Sequence, residues 1–161
     1  MATIIEGRES GFKTNPDYII TFEPSPRRVR VQLNGEWVAD TTHAHLLFET
    51  RHMPVYYFPR SDVRMDLLVP SDKTTACPYK GRARYWSAKI GGKEFPDIVW
   101  GYPEPIPECP KIKGLLSFFN EQVDAILVDG IEVPRSVTPW SKDWKEKAAT
   151  VPDARGPVTR P

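Results

Sequence analysis

A chain of 161 residues has the length of one domain and can bury a core without disulfide staples. Its 22 basic and 21 acidic residues nearly cancel to +1, which leaves no electrostatic footprint for nucleic acid or an anionic membrane. No run approaches the roughly 20 apolar residues of a membrane span, and Met1 to Ser10 lacks the apolar stretch of a secretory signal.

Cys77 and Cys109 form neither a metal pattern nor a disulfide framework, so the expectation is a soluble, reduced, cytoplasmic protein. Residues 1–26 are read as an N-terminal extension packing on the domain and 27–140 as a β domain. The polar segment 141–161 is too poor in apolar groups to offset the entropy of ordering it, unless a short helix over Lys142 to Ala149 docks through Trp144.

Within the domain the clearest local signal is Arg28 to Leu33, then Asn34-Gly35, then Glu36 onward. Val29, Val31 and Leu33 alternate with polar residues, and Asn-Gly supplies the two positive-φ residues of a type I′ turn. An unbroken ladder would pair Leu33 with Glu36, Gln32 with Trp37 and Val31 with Val38, burying Val38 with Val29 and Val31. Continued onward, that parity puts Ala44, Leu46 and Phe48 on the core face. His43, His45, Leu47 and Glu49 then share the other face with Trp37 and Arg30. A bulge across Asp40-Thr41-Thr42 would invert the assignment.

Val55 to Phe58 reads as a strand stopped by Pro59, and Met65 to Val69 as one stopped by Pro70. Gly81 to Trp100 reads as a hairpin around Gly91-Gly92, followed by a proline-rich loop from Pro103 to Pro110. Leu115 to Phe119 and Val123 to Val128 are either two strands around Asn120-Glu121 or one short helix. Asp129-Gly130 marks a last turn before Ile131 to Val133. Seventeen prolines argue against long helices. The expected fold class is therefore all-β and mainly antiparallel, a small closed or two-sheet domain of β-barrel or β-tent-like form with little helix.

Four phrases carry a resemblance. They are Val38-Ala39-Asp40-Thr41 with Glu49, Tyr57-Phe58-Pro59-Arg60-Ser61-Asp62-Val63, Thr75-Ala76-Cys77-Pro78-Tyr79-Lys80-Gly81, and Trp100-Gly101-Tyr102-Pro103-Glu104-Pro105. In this order, over about residues 27 to 134, the chain resembles the family known as domain of unknown function 427, which also carries a nucleotidyltransferase-like label. The resemblance implies a small β-rich intracellular domain and no particular reaction. Nucleotidyl transfer usually needs closely set carboxylates for Mg²⁺ and a glycine-rich phosphate cradle. Here Asp62 and Asp66 stand four apart at a strand start, and no glycine-rich loop opens a helix. The family usually has small or basic residues where this chain has His43 and His45, so histidine chemistry would be particular to this member.

His43-x-His45 with Glu49 matches half of a cupin metal motif, but the second half is missing, and the expectation is no metal. Cys77 lies near Lys80 without an adjacent base and is read as packing at a pocket rather than as a nucleophile. Arg60 and Lys80 each adjoin a strand end, where two cations facing one cavity would suit a carboxylate, phenolate or enolate. Arg60, Lys80, Tyr57 and Glu49 are the candidate catalytic residues. Trp86, Trp100, Tyr102, Cys77 and His45 are the candidate pocket residues.

The function expected is a cofactor-independent enzyme of isomerase or cyclase type. It would use acid–base catalysis and oxyanion stabilisation on a small carbonyl or phenolic compound. The alternative is a non-catalytic small-ligand-binding or protein-interaction module. Either way the expected partner is a small organic molecule, anionic or aromatic, and neither nucleic acid nor membrane. The sequence leaves the oligomeric state open.

Overall fold

The computed structural model describes residues 4–5, 8–50 and 52–135. The polar tail at 141–161, with Trp144, lies outside the described residues. A two-residue hairpin, β1 (Ile4–Ile5) and β2 (Arg8–Glu9), precedes a single helical turn, α1 (Gly11–Thr14). The domain is then built from β3 (Ile20–Pro24), β4 (Val29–Leu33), β5 (Glu36–Thr41), β6 (His45–Glu49) and β7 (Val55–Tyr57). After these come β8 (Leu68–Cys77), β9 (Gly81–Ile90), β10 (Lys93–Gly101), β11 (Leu116–Phe118), β12 (Ala125–Val128) and β13 (Ile131–Glu132). All the paired strands are antiparallel.

Among the described residues there are, besides the small hairpin, three sheets, ordered β3-β6-β7, β11-β10-β9-β8 and β13-β12-β4-β5. They do not close into a barrel; the all-β, mainly antiparallel class holds and the closed form does not. The first two are joined beside β7, where Phe58 and Leu116 exchange backbone hydrogen bonds of 2.7 and 3.0 Å. The strand β3 falls inside the segment read from sequence as an extension, and it pairs with β6 along its whole length.

Alternation along the strands builds two apolar clusters. Val29, Val31 and Leu33 from β4 meet Leu46 and Phe48 of β6, Tyr56 and Phe58 around β7, and Trp86 and Ala88 of β9 in the main core. The odd partners, Leu47, Tyr57, Ala83 and Tyr85, point the other way. They meet Tyr102, Ile106, Cys109 and Ile112 from the loop after β10. The period-two rule thus gives β6, β7 and β9 a face in each cluster.

The hairpin at Asn34-Gly35 forms with φ of 49° and 79°, and Asp129-Gly130 repeats the same turn at 49° and 81°. The register beyond it differs from the unbroken ladder. Gln32 faces Trp37, but Val31 faces Ala39, because Val38 is an inserted bulge residue. Val38 and Ala39 are consequently both buried, with Thr41 inside and Asp40 outside. The carbonyl of Val38 accepts from the Arg64 N–H at 2.8 Å, and this long-range bond fixes the bulge. The expected core face of β6 nevertheless stands: Ala44, Leu46 and Phe48 are buried in the main core. Trp37 and Arg30 do share the solvent face, the guanidinium 4.4 Å from the ring centroid. That face belongs to a different sheet from the one carrying His45, Leu47 and Glu49.

Two further expectations are corrected. Pro70 does not stop a strand: Met65–Leu67 is a 3₁₀ turn, and β8 runs through Pro70 to Cys77 with a register shift between Pro70 and Thr74. An edge strand tolerates this because its outer N–H groups have no ladder partner to lose. Residues 115–128 resolve as two strands rather than a helix, β11 against β10 and β12 against β4.

Candidate functional site

A cavity of about 510 Å³ is lined by Tyr57, Tyr85 and Tyr102 of the second cluster and by Met53, Tyr56 and Phe118 of the main core. Its walls come from the end of β6 (Glu49), the approach to β7 and Tyr57, the Cys77–Lys80 turn between β8 and β9, and Tyr85, Trp100 and Tyr102. Strand parity places two of its rings. Tyr57 and Tyr85 occupy the faces of β7 and β9 opposite the main core, while Tyr56 and Phe118 reach the cavity from the main core itself.

One ion pair sits in that wall. Lys80 Nζ donates to Glu49 Oε1 at 2.7 Å, with side-chain exposures of 11% and 6%. Two charges so far out of water persist only as a pair with further hydrogen bonds. Glu49 has one: the Tyr18 hydroxyl donates to its other oxygen, Oε2, at 2.5 Å. The His52 ring lies against Tyr18 and donates from Nδ1 to the Thr50 carbonyl at 2.7 Å. Lys80 Nζ also reaches Cys77 Sγ at 3.9 Å.

These contacts fix the protonation states. Burial raises the Glu49 carboxyl, but the Lys80 ammonium, the neighbouring His52 ring and the hydrogen bonds from Lys80 and Tyr18 outweigh it and hold it below its ordinary value. Burial would depress Lys80, yet the Glu49 carboxylate, with Tyr102, Cys77 and Tyr57 close by, holds its ammonium well above the usual range. Desolvation raises the phenols of Tyr18, Tyr57 and Tyr102, so all three are neutral proton donors at physiological pH. Burial also pushes the Cys109 thiol up to about 11, an unreactive packing cysteine. The site is thus a carboxylate held by an ammonium and a phenol, with two more phenols beside the ammonium.

Of the residues proposed from sequence, Lys80, Tyr57, Glu49, Trp100, Tyr102 and Cys77 line this one cavity. The Trp100 indole N–H donates to the Tyr57 hydroxyl at 3.4 Å. Three others lie elsewhere. Arg60 is exposed on a 3₁₀ turn, Arg60–Asp62, with its guanidinium 5.4 Å from the centroid of the Trp86 ring, so the expectation that Arg60 and Lys80 face one cavity does not hold. Trp86 follows Tyr85 on β9 and is therefore turned into the main core. His45 lies flat against Phe22, ring centroids 5.0 Å apart, outside the cavity wall.

Sequence reasoning missed Tyr18 and His52, which also line the cavity. No motif marks Tyr18; the only signal was the alternating Ile20-Thr21-Phe22 run just after it, which marks a strand inside the supposed extension.

The carboxylates weighed for nucleotidyl transfer are engaged separately. Asp62 accepts from the Thr41 hydroxyl at 2.7 Å, and Asp66 pairs with Arg64 at 2.8 Å. Among the described residues no three histidine, cysteine or acidic side chains gather in a metal-binding group. No described helix is long and apolar enough to cross a membrane.

A search of curated proteins gave no match to the chain. The sequence profile of a family described as "Domain of unknown function (DUF427)" matches residues 21–129, which include both members of the buried ion pair. With that match over more than half its length, the chain belongs to the DUF427 family.

Proposed function

We propose that this chain is a cofactor-independent enzyme of isomerase or cyclase type, acting by proton transfer on a small carbonyl or phenolic compound. The observation that carries the reading is the Glu49–Lys80 pair, buried in the wall of a cavity lined largely by aromatic rings. Such a cavity suits a flat organic molecule, and a few convergent polar groups suit one oxygen on it. An incoming carbonyl or phenolate oxygen takes the place of Glu49 Oε1 on Lys80 Nζ.

That exchange has a chemical consequence. The attraction of Lys80 is the largest influence keeping Glu49 acidic, while its burial is unchanged by the exchange. A Glu49 released from Lys80 becomes a stronger base, closer to the range useful at neutral pH. It then removes a proton from the carbon next to the substrate carbonyl. The electron pair of the broken C–H bond moves onto oxygen, and the resulting enolate is held by Lys80 with the Tyr57 and Tyr102 phenols nearby. Glu49 returns the proton at a different atom, which completes an isomerisation with no net gain or loss. The proposal includes a cytoplasmic setting, supported by two cysteines that remain free thiols.

Phenylpyruvate tests the reading, because its keto–enol interconversion is itself proton transfer beside a carbonyl on an aromatic compound. Binding is followed by quenching of Trp100 fluorescence, with Trp100→Phe as control, and turnover by enol absorbance. Lys80→Met is expected to lower turnover by about 10²–10³-fold. A wild-type protein that neither binds nor interconverts phenylpyruvate and a panel of phenolic acids would defeat the proposal. A second reading, a binding module without catalysis, is favoured by the low basicity of Glu49 beside Lys80; binding without turnover across the panel selects it.

A further inference from the structure

We propose that residues 11–18 are a strap laid along the Cys77–Lys80 turn, and that Tyr18, by which this strap reaches the cavity, is a positioning residue for Glu49. The strap is tied to the Cys77–Lys80 turn by contacts along its length. The Gly11 N–H donates to the Pro78 carbonyl at 2.9 Å. A side chain at Gly11 would meet Tyr79 Cε1 at 2.6 Å, so glycine is what lets the strap lie flat on the turn. The Phe12 ring meets Tyr79 edge-on at 5.1 Å, and Tyr18 stacks on Tyr79, its ring centroid 3.7 Å away and nearly parallel at 12°. Tyr18 and Tyr79 both line the cavity, and residues 11–18 precede the segment matched to the family.

The division of labour on Glu49 gives Tyr18 its role. Lys80 takes Oε1 and Tyr18 takes Oε2. A ligand oxygen that captures Lys80 therefore frees one carboxylate oxygen and leaves the other bonded. Without Tyr18, the same exchange would take both of these donors from a buried carboxylate, and that is costly. Glu49 would pivot on the Tyr18 hydroxyl and stay near the substrate rather than collapse toward another group. The groups facing Glu49 are Tyr18 from the strap, Lys80 from the turn and His52 from the segment after β6. Tyr57, Tyr102 and Cys77 surround Lys80 behind it.

The purpose given to the strap rests on the catalytic reading above, but its geometry is tested without any ligand, so the two can fail separately. In protein labelled with ¹³C at glutamate carboxyls, the titration midpoint of Glu49 is expected to move up by about one pH unit in Tyr18→Phe. That variant keeps the stacked ring and loses only the hydroxyl. Alkylation of Cys77 by iodoacetamide, mapped by mass spectrometry, is expected to speed up several-fold in Gly11→Leu, where the strap is wedged off the turn. Phe12→Ala carries the same test if Gly11→Leu does not fold. An unchanged Glu49 midpoint in a folded Tyr18→Phe protein would remove the positioning role. Cys77 labelling as slow in the folded strap variant as in the wild type would remove the strap.

Discussion

Replacing Lys80 by methionine is expected to lower the stability of the folded chain by about 3–5 kcal/mol, the loss seen when one partner of a buried pair is removed and the other left charged. For a domain of this size that is a fall of about 10 °C in Tm, readable by circular dichroism. The effect belongs to the uncompensated Glu49 and not to missing volume, since methionine fills nearly the same space. The double variant Lys80→Met with Glu49→Leu is therefore expected to recover most of the loss, because two apolar side chains replace a pair whose desolvation was expensive. A single variant as stable as the wild type would mean that Glu49 is far better solvated than its 6% exposure indicates.

The pH dependence carries a sign that separates the two proteins. In the wild type Glu49 is held below its ordinary value of about 4.3 and Lys80 above its ordinary value of about 10.4. The carboxylate's share of stability is present above the unfolded value and is lost as pH falls through the lower folded one. The ammonium's share is present below the unfolded value and is lost as pH rises through the higher folded one. Stability from the pair is thus level from about pH 5 to pH 10 and declines on either side. In Lys80→Met the burial of Glu49 remains without its counter-charge, so its folded value rises above the unfolded one. The folded state then binds more protons, and this variant gains stability from Glu49 on mild acidification. Denaturant midpoints measured from pH 4 to 8 compare the two slopes directly.

Phe58→Ala is expected to cost about 3–5 kcal/mol as well, for a different reason. Phe58 is completely buried, packs edge-on against Phe118 at 5.5 Å, and sits at the backbone junction with Leu116 that joins two sheets. Its removal leaves a hole at a seam held by two backbone hydrogen bonds rather than inside a continuous ladder. Phe58→Leu is expected to restore part of the loss, and Ile131→Ala, at an exposed position, to change stability by less than about 0.5 kcal/mol. Equal urea midpoints for Phe58→Ala and Ile131→Ala would show that the seam is not cooperative with the core.

What was legible in the sequence was local. Asn34-Gly35 could be read as a turn because the conformation it needs excludes most other residues, and the alternation of β4 named its buried face correctly. The register past Val38 was not legible, because the bulge is fixed by Arg64, which nothing near Val38 announces. The same limit divided the candidate site. Lys80 and Arg60 looked equivalent in sequence, each a cation next to a strand end. The turn containing Lys80 folds over the face that holds Glu49, whereas the turn containing Arg60 folds over the ring of Trp86. Tyr85 and Trp86 are neighbours in the chain and on opposite sides of the layer. Period two assigns such residues to opposite faces, but only the stacking of the sheets says which face encloses the cavity.

The outer rim of β8 has a consequence for how copies of the protein meet. Among the described residues this ten-residue strand ends its sheet, so one row of its backbone groups faces outward. Pro70 has no N–H to offer there, the register shift between Pro70 and Thr74 breaks the regular spacing, and Asp72 and Lys73 stand exposed within the break. A second copy approaching this rim would find a missing donor, a misaligned ladder and charges that would have to be stripped of water. The proline that reads as a strand terminator thus acts as a guard against fibre-like stacking, allowing the strand to continue inward to the Cys77–Lys80 turn while closing its open side to other chains.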